Sequence, residues 1–173
     1  CVGVGADLSE KALEVAKKNA KQIGNNGIAD KMDIRFVQSN LFEKVDGKFD
    51  MIVSNPPYIP TEVINTLDKN VREYEPKTAL DGGFDGLDFY REITKTYYPK
   101  LKEGGALAFE VGYRQADAVL EIMKAAGLKR PKEQKKVWSN LTESYFLSNP
   151  SSDALMLVFQ LIDIRTGPTE DDV

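Results

Sequence analysis

Two consecutive prolines at the end of an apolar strand leave a chain few ways to continue. Phe49-Asp50-Met51-Ile52-Val53-Ser54 reads as a strand and runs without a spacer into Asn55-Pro56-Pro57-Tyr58. Each proline fixes its φ at about −65° and removes an N–H, and the residue ahead of a proline is driven out of helical space. The strand must therefore stop at Ser54, with Asn55 extended and the carbonyls of the turn free to accept from elsewhere. A rigid turn is the plainest account. Its place in the chain suggests a richer one, because the turn follows a strand that belongs to a repeating alternation of strands and helices.

That alternation starts at the first residues. Val2–Ala6 reads as a short buried strand ending at Asp7, Ser9 as a helix N-cap, and Lys11–Gln22 as an amphipathic helix with Leu13, Ala16 and Ala20 on one side. Gly24-Asn25-Asn26-Gly27 stops it. Asp33–Val37 is the next strand, ending in Ser39-Asn40-Leu41-Phe42, and Gly47-Lys48 turns the chain into Phe49–Ser54. Thr61–Asp88 is polar, contains Gly82-Gly83 and Gly86, and is long enough for a connection to carry short helices of its own. Phe89–Leu101 is expected to be helical. Gly104-Gly105 is expected to turn into a strand over Ala106–Val111, and Gln115–Ala126 to form a helix closed by Gly127. Lys135–Trp138 and Tyr145–Leu147 are candidate short strands, and Leu155–Ile164 is a strong one.

Strands separated by helices imply βαβ units and an α/β fold with a mostly parallel sheet. The last two strands have no helix between them and are expected to form an antiparallel edge. The expected organisation is one domain over residues 1–164 and a polar, acidic tail over 165–173. Because Cys1 opens directly into an apolar strand, the expected start is a cut inside a domain. In an open α/β sheet ligands bind at the carboxyl ends of the strands, which is where Asn55-Pro56-Pro57-Tyr58 falls.

Composition narrows the chemistry. The 173 residues contain no histidine and a single cysteine, so they hold no Ser-His-Asp triad, no Cys-His pair and no His-ligated zinc; no metal site is expected. Hydrophobic residues make up 42% and charged residues 29%, enough for a packed core. Lys and Arg number 23 against 27 Asp and Glu, and the net charge of −4 argues against a nucleic-acid binder. The apolar run Ala154–Ile164 is interrupted by Gln160 and Asp163 and is too short to cross a bilayer. A cytoplasmic protein without a membrane partner is expected. A reactive group supplied by a cofactor fits such a set of residues.

Asn55 is suited to one task in particular. Its Oδ1 and the Pro56 carbonyl can accept both hydrogens of a planar –NH2 group, which aims the nitrogen lone pair at an electrophile. Tyr58 offers a ring face for the flat group. Asp7, an acidic residue ending a strand ahead of a helix, has the placement from which a carboxylate accepts ribose hydroxyls, and an ordinary helix N-terminus would look the same. In Ser39-Asn40-Leu41-Phe42 a polar side chain could read an adenine edge while Leu41 packs on its face.

Taken together these residues resemble the class I S-adenosylmethionine-dependent methyltransferases, and more narrowly the HemK/PrmC family of protein-(glutamine-N5) methyltransferases that modify peptide-chain release factors. The resemblance runs from about Val2 to Leu128. It rests on the opening strand with Asp7, on Phe49–Pro60, on Val71–Tyr90 and on Leu101–Val119. Tyr74-Glu75-Pro76 with Ala79-Leu80-Asp81-Gly82-Gly83 separates this family from DNA adenine methyltransferases that share Asn-Pro-Pro-Tyr. The resemblance implies a Rossmann-like sheet lacking here its first strand and Gly-rich loop. It implies S-adenosylmethionine as cofactor, with Asp7 on the ribose and Asn40 and Leu41 on the adenine. Asn55, Pro56, Pro57 and Tyr58 would hold the substrate glutamine, with Asn55 also bordering the cofactor. It implies a release factor as partner; a monomer is expected. Many members carry Asp where Asn40 stands, and Trp138–Pro150 is unlike the usual closing hairpin. Glu110 falls near the expected cleft. Two alternatives share parts of the pattern: N6-adenine methylation of DNA or RNA, which the acidic balance and Tyr74–Gly83 oppose, and a non-catalytic fragment of the domain.

Overall fold

The structure is a computed structural model that describes residues 2–25, 33–112, 114–128, 144–149 and 154–160. The chain divides into two compact units, residues 1–47 and 48–173.

In the first unit, strand β1 (Val2–Asp7) and strand β2 (Asp33–Gln38) pair in parallel, in a register that runs from Val2↔Asp33 to Asp7↔Gln38. Helix α1 (Glu10–Asn25) crosses between them. Ser9 caps it as expected: the Ala12 N–H donates to Ser9 Oγ at 3.3 Å, and the Ser9 carbonyl accepts from Leu13 N–H at 3.1 Å. Leu13 is the buried anchor of the helix. Gly5 is where β1 takes a neighbour at close range, since a Cβ there would lie 2.8 Å from the Phe36 ring.

The second unit holds a four-stranded sheet in the order β3-β4-β6-β5, from β3 (Phe49–Ser54), β4 (Leu101–Val111), β5 (Ser144–Asn149) and β6 (Ala154–Gln160). β3 with β4 and β4 with β6 are parallel, while β5 with β6 is antiparallel, so the expected closing edge is present. The long connection carries a 3-10 turn (Ile64–Thr66), α2 (Lys69–Tyr74) and α3 (Lys77–Leu80), followed by α4 (Asp88–Thr96). Helix α5 (Ala116–Ala125) follows β4.

β4 is the core strand. Leu107, Ala108 and Phe109 are all 0% exposed; because successive residues face opposite sides, both faces of the strand are covered. Tyr90 and Ile93 of α4 and Val119 and Met123 of α5 are buried with them. The Tyr90 ring stands edge-on to Phe109, with centroids 5.1 Å apart at 89°.

Three boundaries differ from expectation. Helix α1 runs through Gly24 and Asn25, past the stop expected at Gly24. The helix expected over Phe89–Leu101 ends at Thr96 and passes into a 3-10 turn over Tyr98–Lys100, because Pro99 has no N–H to continue it. Gly104-Gly105 is a bulge inside β4 and does not precede it: Phe49 pairs with Leu101 but Met51 with Ala106, and Gly104 absorbs the extra residues at φ 75°. Tyr145–Leu147 lies within β5, and Leu155–Ile164 begins as β6. Residues 161–173, with the expected tail, and the candidate strand Lys135–Trp138 lie outside the described residues.

Replacing Phe109 by Ala removes a side chain from both the Tyr90 contact and the covered sheet face. It is expected to cost about 3–5 kcal/mol in urea unfolding; a loss below about 1 kcal/mol would contradict this account of the core.

Candidate active site

In the first unit, Asp7, Asn40 and Leu41 come to the same end of the parallel pair. Asp7 closes β1, and its Oδ1 accepts from the Ser9 N–H at 2.7 Å, which orients an otherwise exposed carboxylate. The Ser39 N–H donates to the Asp7 carbonyl at 3.0 Å, tying the end of β2 to the end of β1. Ser39 is buried; its Oγ donates to the Leu41 carbonyl at 3.0 Å and accepts from the Lys44 N–H at 3.0 Å. These bonds hold Leu41 at φ 47°, a left-handed conformation that costs a leucine energy and is kept only where its surroundings impose it. Asn40 Nδ2 donates to Glu43 Oε1 at 2.8 Å, so the amide is oriented by its own loop. An oriented acceptor carboxylate beside a half-buried leucine can take a diol and the face of a flat ring, which is the chemistry a nucleoside presents.

In the second unit, Asn55 leaves β3 exposed while Pro56 is buried and Pro57 and Tyr58 are half-buried. The turn they form is anchored by a residue that the sequence marked only as a helix start. Gln115 Nε2 donates to the Tyr58 carbonyl at 2.9 Å and reaches the Gly86 carbonyl at 3.5 Å, while Gln115 Oε1 accepts from the Gly112 N–H at 3.2 Å. One carboxamide thus joins the proline turn, the loop before α4 and the end of β4.

The Tyr74–Gly83 segment comes against the same turn. Ile59 N–H donates to the Leu80 carbonyl at 3.0 Å, Gly82 N–H to the Ile59 carbonyl at 2.9 Å, and Thr61 N–H to the Gly83 carbonyl at 2.9 Å. Asp81 Oδ1 accepts from the Thr61 hydroxyl at 2.6 Å and from Gly83 N–H at 3.1 Å, and these donors hold its carboxyl below the usual aspartate range. Glycine is required where the segments touch. A Cβ on Gly82 would lie 2.8 Å from the Pro57 carbonyl oxygen, and one on Gly112 2.8 Å from the Tyr58 ring. On Gly86, at φ 75°, a Cβ would collide with the Tyr58 carbonyl oxygen. Asp85 pins this loop to α4 through Arg91, with N–O distances of 2.9 and 2.5 Å.

Glu110 stands beside Asn55. The register Val53↔Ala108, Ser54↔Phe109 carries the two chains side by side into these residues. Burial raises the pKa of the Glu110 carboxyl above the ordinary glutamate value, and hydrogen bonding from the neighbouring Asn55 amide to the charged form opposes that rise. The Tyr90 hydroxyl donates to the Glu110 carbonyl at 2.9 Å.

Parallel strands ending in Asp7, in Ser39-Asn40-Leu41, in Asn55-Pro56-Pro57-Tyr58 and in Glu110, with an antiparallel closing edge, are the α/β architecture of a class I methyltransferase. Residues 4–71 match the methyltransferase small domain family. Over 127 residues the chain is 46% identical to the release factor glutamine methyltransferase of Agrobacterium fabrum, covering 72% of this chain and 42% of that protein. It is 46% identical over 125 residues to the protein of the same name from Caulobacter vibrioides, with the same coverage, and 45% identical over 123 residues to that of Fusobacterium nucleatum, covering 69% of this chain and 33% of that protein. Over about 125 residues the chain is similar to release factor glutamine methyltransferases, and it spans about two fifths of the length of the first two of these curated relatives.

Gly86→Ala forces both a left-handed alanine and a collision with the Tyr58 carbonyl. It is expected to lower stability by about 2 kcal/mol or more and to displace the turn, read as a lower Tm and altered amide exchange at Ile59 and Gly82. A Tm equal to that of the parent chain would show that the loop does not press on the turn.

Proposed function

We propose that this chain carries the amide-binding site, and part of the cofactor site, of an enzyme that methylates the side-chain nitrogen of a glutamine in a peptide-chain release factor. The observation that supports this most is the fixed Asn55-Pro56-Pro57-Tyr58 turn, with the Asp81-Gly82-Gly83 segment bonded along it. A surface loop would not need Gln115, three close-contact glycines and a backbone ladder to hold it. The names of the relatives point the same way.

S-adenosylmethionine, when bound, supplies an electrophilic methyl group on a sulfonium. Asp7, with its exposed carboxylate oxygen, would accept from the ribose hydroxyls, and Asn40 and Leu41 would flank the adenine. Asn55 would border the cofactor. The rest of the chemistry falls to the turn. Asn55 Oδ1 and the Pro56 carbonyl accept the two hydrogens of the glutamine –NH2; among the described residues no donor bonds that carbonyl. Tyr58 packs on the amide plane. Two acceptors below the plane favour a tetrahedral nitrogen over a flat amide, so they bind the transition state better than the ground state. The cofactor would supply its methyl group to the nitrogen that Asn55 Oδ1 and the Pro56 carbonyl hold, and that nitrogen would then release one of its two held protons to water. No side-chain base is required.

Domain limits of 1–164, a monomeric state and a cytoplasmic location complete the proposal. Among the described residues no helix is long and apolar enough to cross a membrane.

The test offers labelled S-adenosylmethionine with an intact release factor and, separately, with DNA to the full-length polypeptide that contains these residues. Label is expected on the release-factor glutamine; label on DNA alone would overturn the proposal. Asn55→Ala is expected to lower transfer by about 100-fold or more with the fold retained by circular dichroism. Calorimetry of the 173-residue chain with the cofactor separates a binding-competent domain from an inert fragment.

A further inference from the structure

The grip assigned to Asn55 depends on which end of its amide faces the substrate, and this inference rests on that reading of the turn. A carboxamide is flat, and its oxygen and nitrogen exchange places by a half-turn about the last side-chain bond. With Oδ1 outward, Asn55 accepts from a substrate –NH2. Turned over, it would point two hydrogens at two hydrogens. Asn55 is exposed at the strand end, so packing does little to choose between the two.

Glu110 does choose. The parallel register sets it beside Asn55, and the Asn55 amide acts on its carboxyl group in the sense that favours the charged form. A carboxylate can only accept, so the atom turned toward β4 must be Nδ2 and the atom turned away must be Oδ1. Glu110 is itself held in place: its carbonyl takes the Tyr90 hydroxyl at 2.9 Å, Tyr90 is fully buried, and the residue pairs with Phe159 of β6 on the other side. A purely structural role is a poor account. The carboxylate is half-buried, and among the described residues no cation forms an ion pair with it, an arrangement that costs stability.

We propose that Glu110 is a positioning residue: it holds Asn55 Nδ2 and so presents Asn55 Oδ1 to the acceptor nitrogen. Glu110→Gln is the discriminating variant, since a carboxamide keeps the shape but can meet Asn55 with either its oxygen or its nitrogen.

In the full-length polypeptide, Glu110→Gln is expected to lower kcat for the release factor by about 10- to 100-fold, with KM for S-adenosylmethionine unchanged. Glu110→Ala should fall at least as far. The Asn55 side-chain NH2 resonance, assigned through its loss in Asn55→Ala, should move in Glu110→Gln while core backbone resonances stay. Parental kcat in Glu110→Gln, or an unmoved resonance, would overturn the proposal. So would loss of the folded state in both Glu110 variants, which would assign the residue to stability. If Asn55→Ala abolishes transfer and Glu110→Gln does not, the positioning role alone fails. If Asn55→Ala remains active, the reading of the turn fails and takes this inference with it.

Discussion

Burial of β4 on both faces sets the geometry of the second unit. A strand with Leu107, Ala108 and Phe109 all sealed from water has little freedom to slide or tilt. The residues at its carboxyl end, Glu110 and Gly112, inherit that rigidity. Tyr90 couples the strand to α4 twice, through its ring on Phe109 and its hydroxyl on the Glu110 carbonyl. Burial pushes the Tyr90 hydroxyl well above the usual tyrosine pKa, which favours its protonated, donating form. β3 is registered on β4, so Asn55 is delivered beside Glu110 by sheet geometry.

The two prolines then convert a strand end into a set of acceptors. They subtract two N–H groups and leave carbonyls that must be satisfied or exposed. Gln115 takes the Tyr58 carbonyl, and Ile59 turns away into its exchange with Leu80 and Gly82. Among the described residues no backbone donor bonds the Pro56 carbonyl, which the proposed chemistry uses together with Asn55. Gln115 shows how economical this anchoring is: a single side chain at the start of α5 fixes three segments that are far apart in the chain. The loop that carries Gly82 and Gly86 can press against the turn only because those positions have no side chain.

The parts of this arrangement visible in the sequence were those written in local chemistry. Asn55-Pro56-Pro57-Tyr58 declares a strand stop by itself, Ser9 a cap, and the spacing of apolar runs a parallel sheet with an antiparallel close. Contacts between distant segments were not visible. Nothing local distinguishes Gln115 from any polar residue ahead of a helix, and the link from Asn55 to Glu110 exists only once the register is known. Gly82-Gly83 and Gly86 read as loop punctuation, although they are contact points. Gly104-Gly105 misled for a related reason: two glycines signal a turn, and only the partner strand reveals that the chain continues through them as a bulge. Pro99 is a readable stop within Phe89–Leu101, and the helix ends ahead of it.

The acceptor-only character of the proposed site also accounts for the placing of a carboxylate next to an amide and not next to a base. Two acceptors on a –NH2 group do their work by geometry, and they gain nothing from a group that exchanges protons near neutrality. What they need is a neighbour with no choice of hydrogen-bond polarity. Glutamine, serine or histidine in the place of Glu110 could each donate as well as accept, and each would leave the Asn55 amide free to turn over. A carboxylate removes that freedom, at the cost of being half-buried, and the bond from Asn55 offsets part of this cost by favouring the charged form. The electrostatic burden at the end of β4 and the fixed direction of Asn55 are therefore two sides of one interaction.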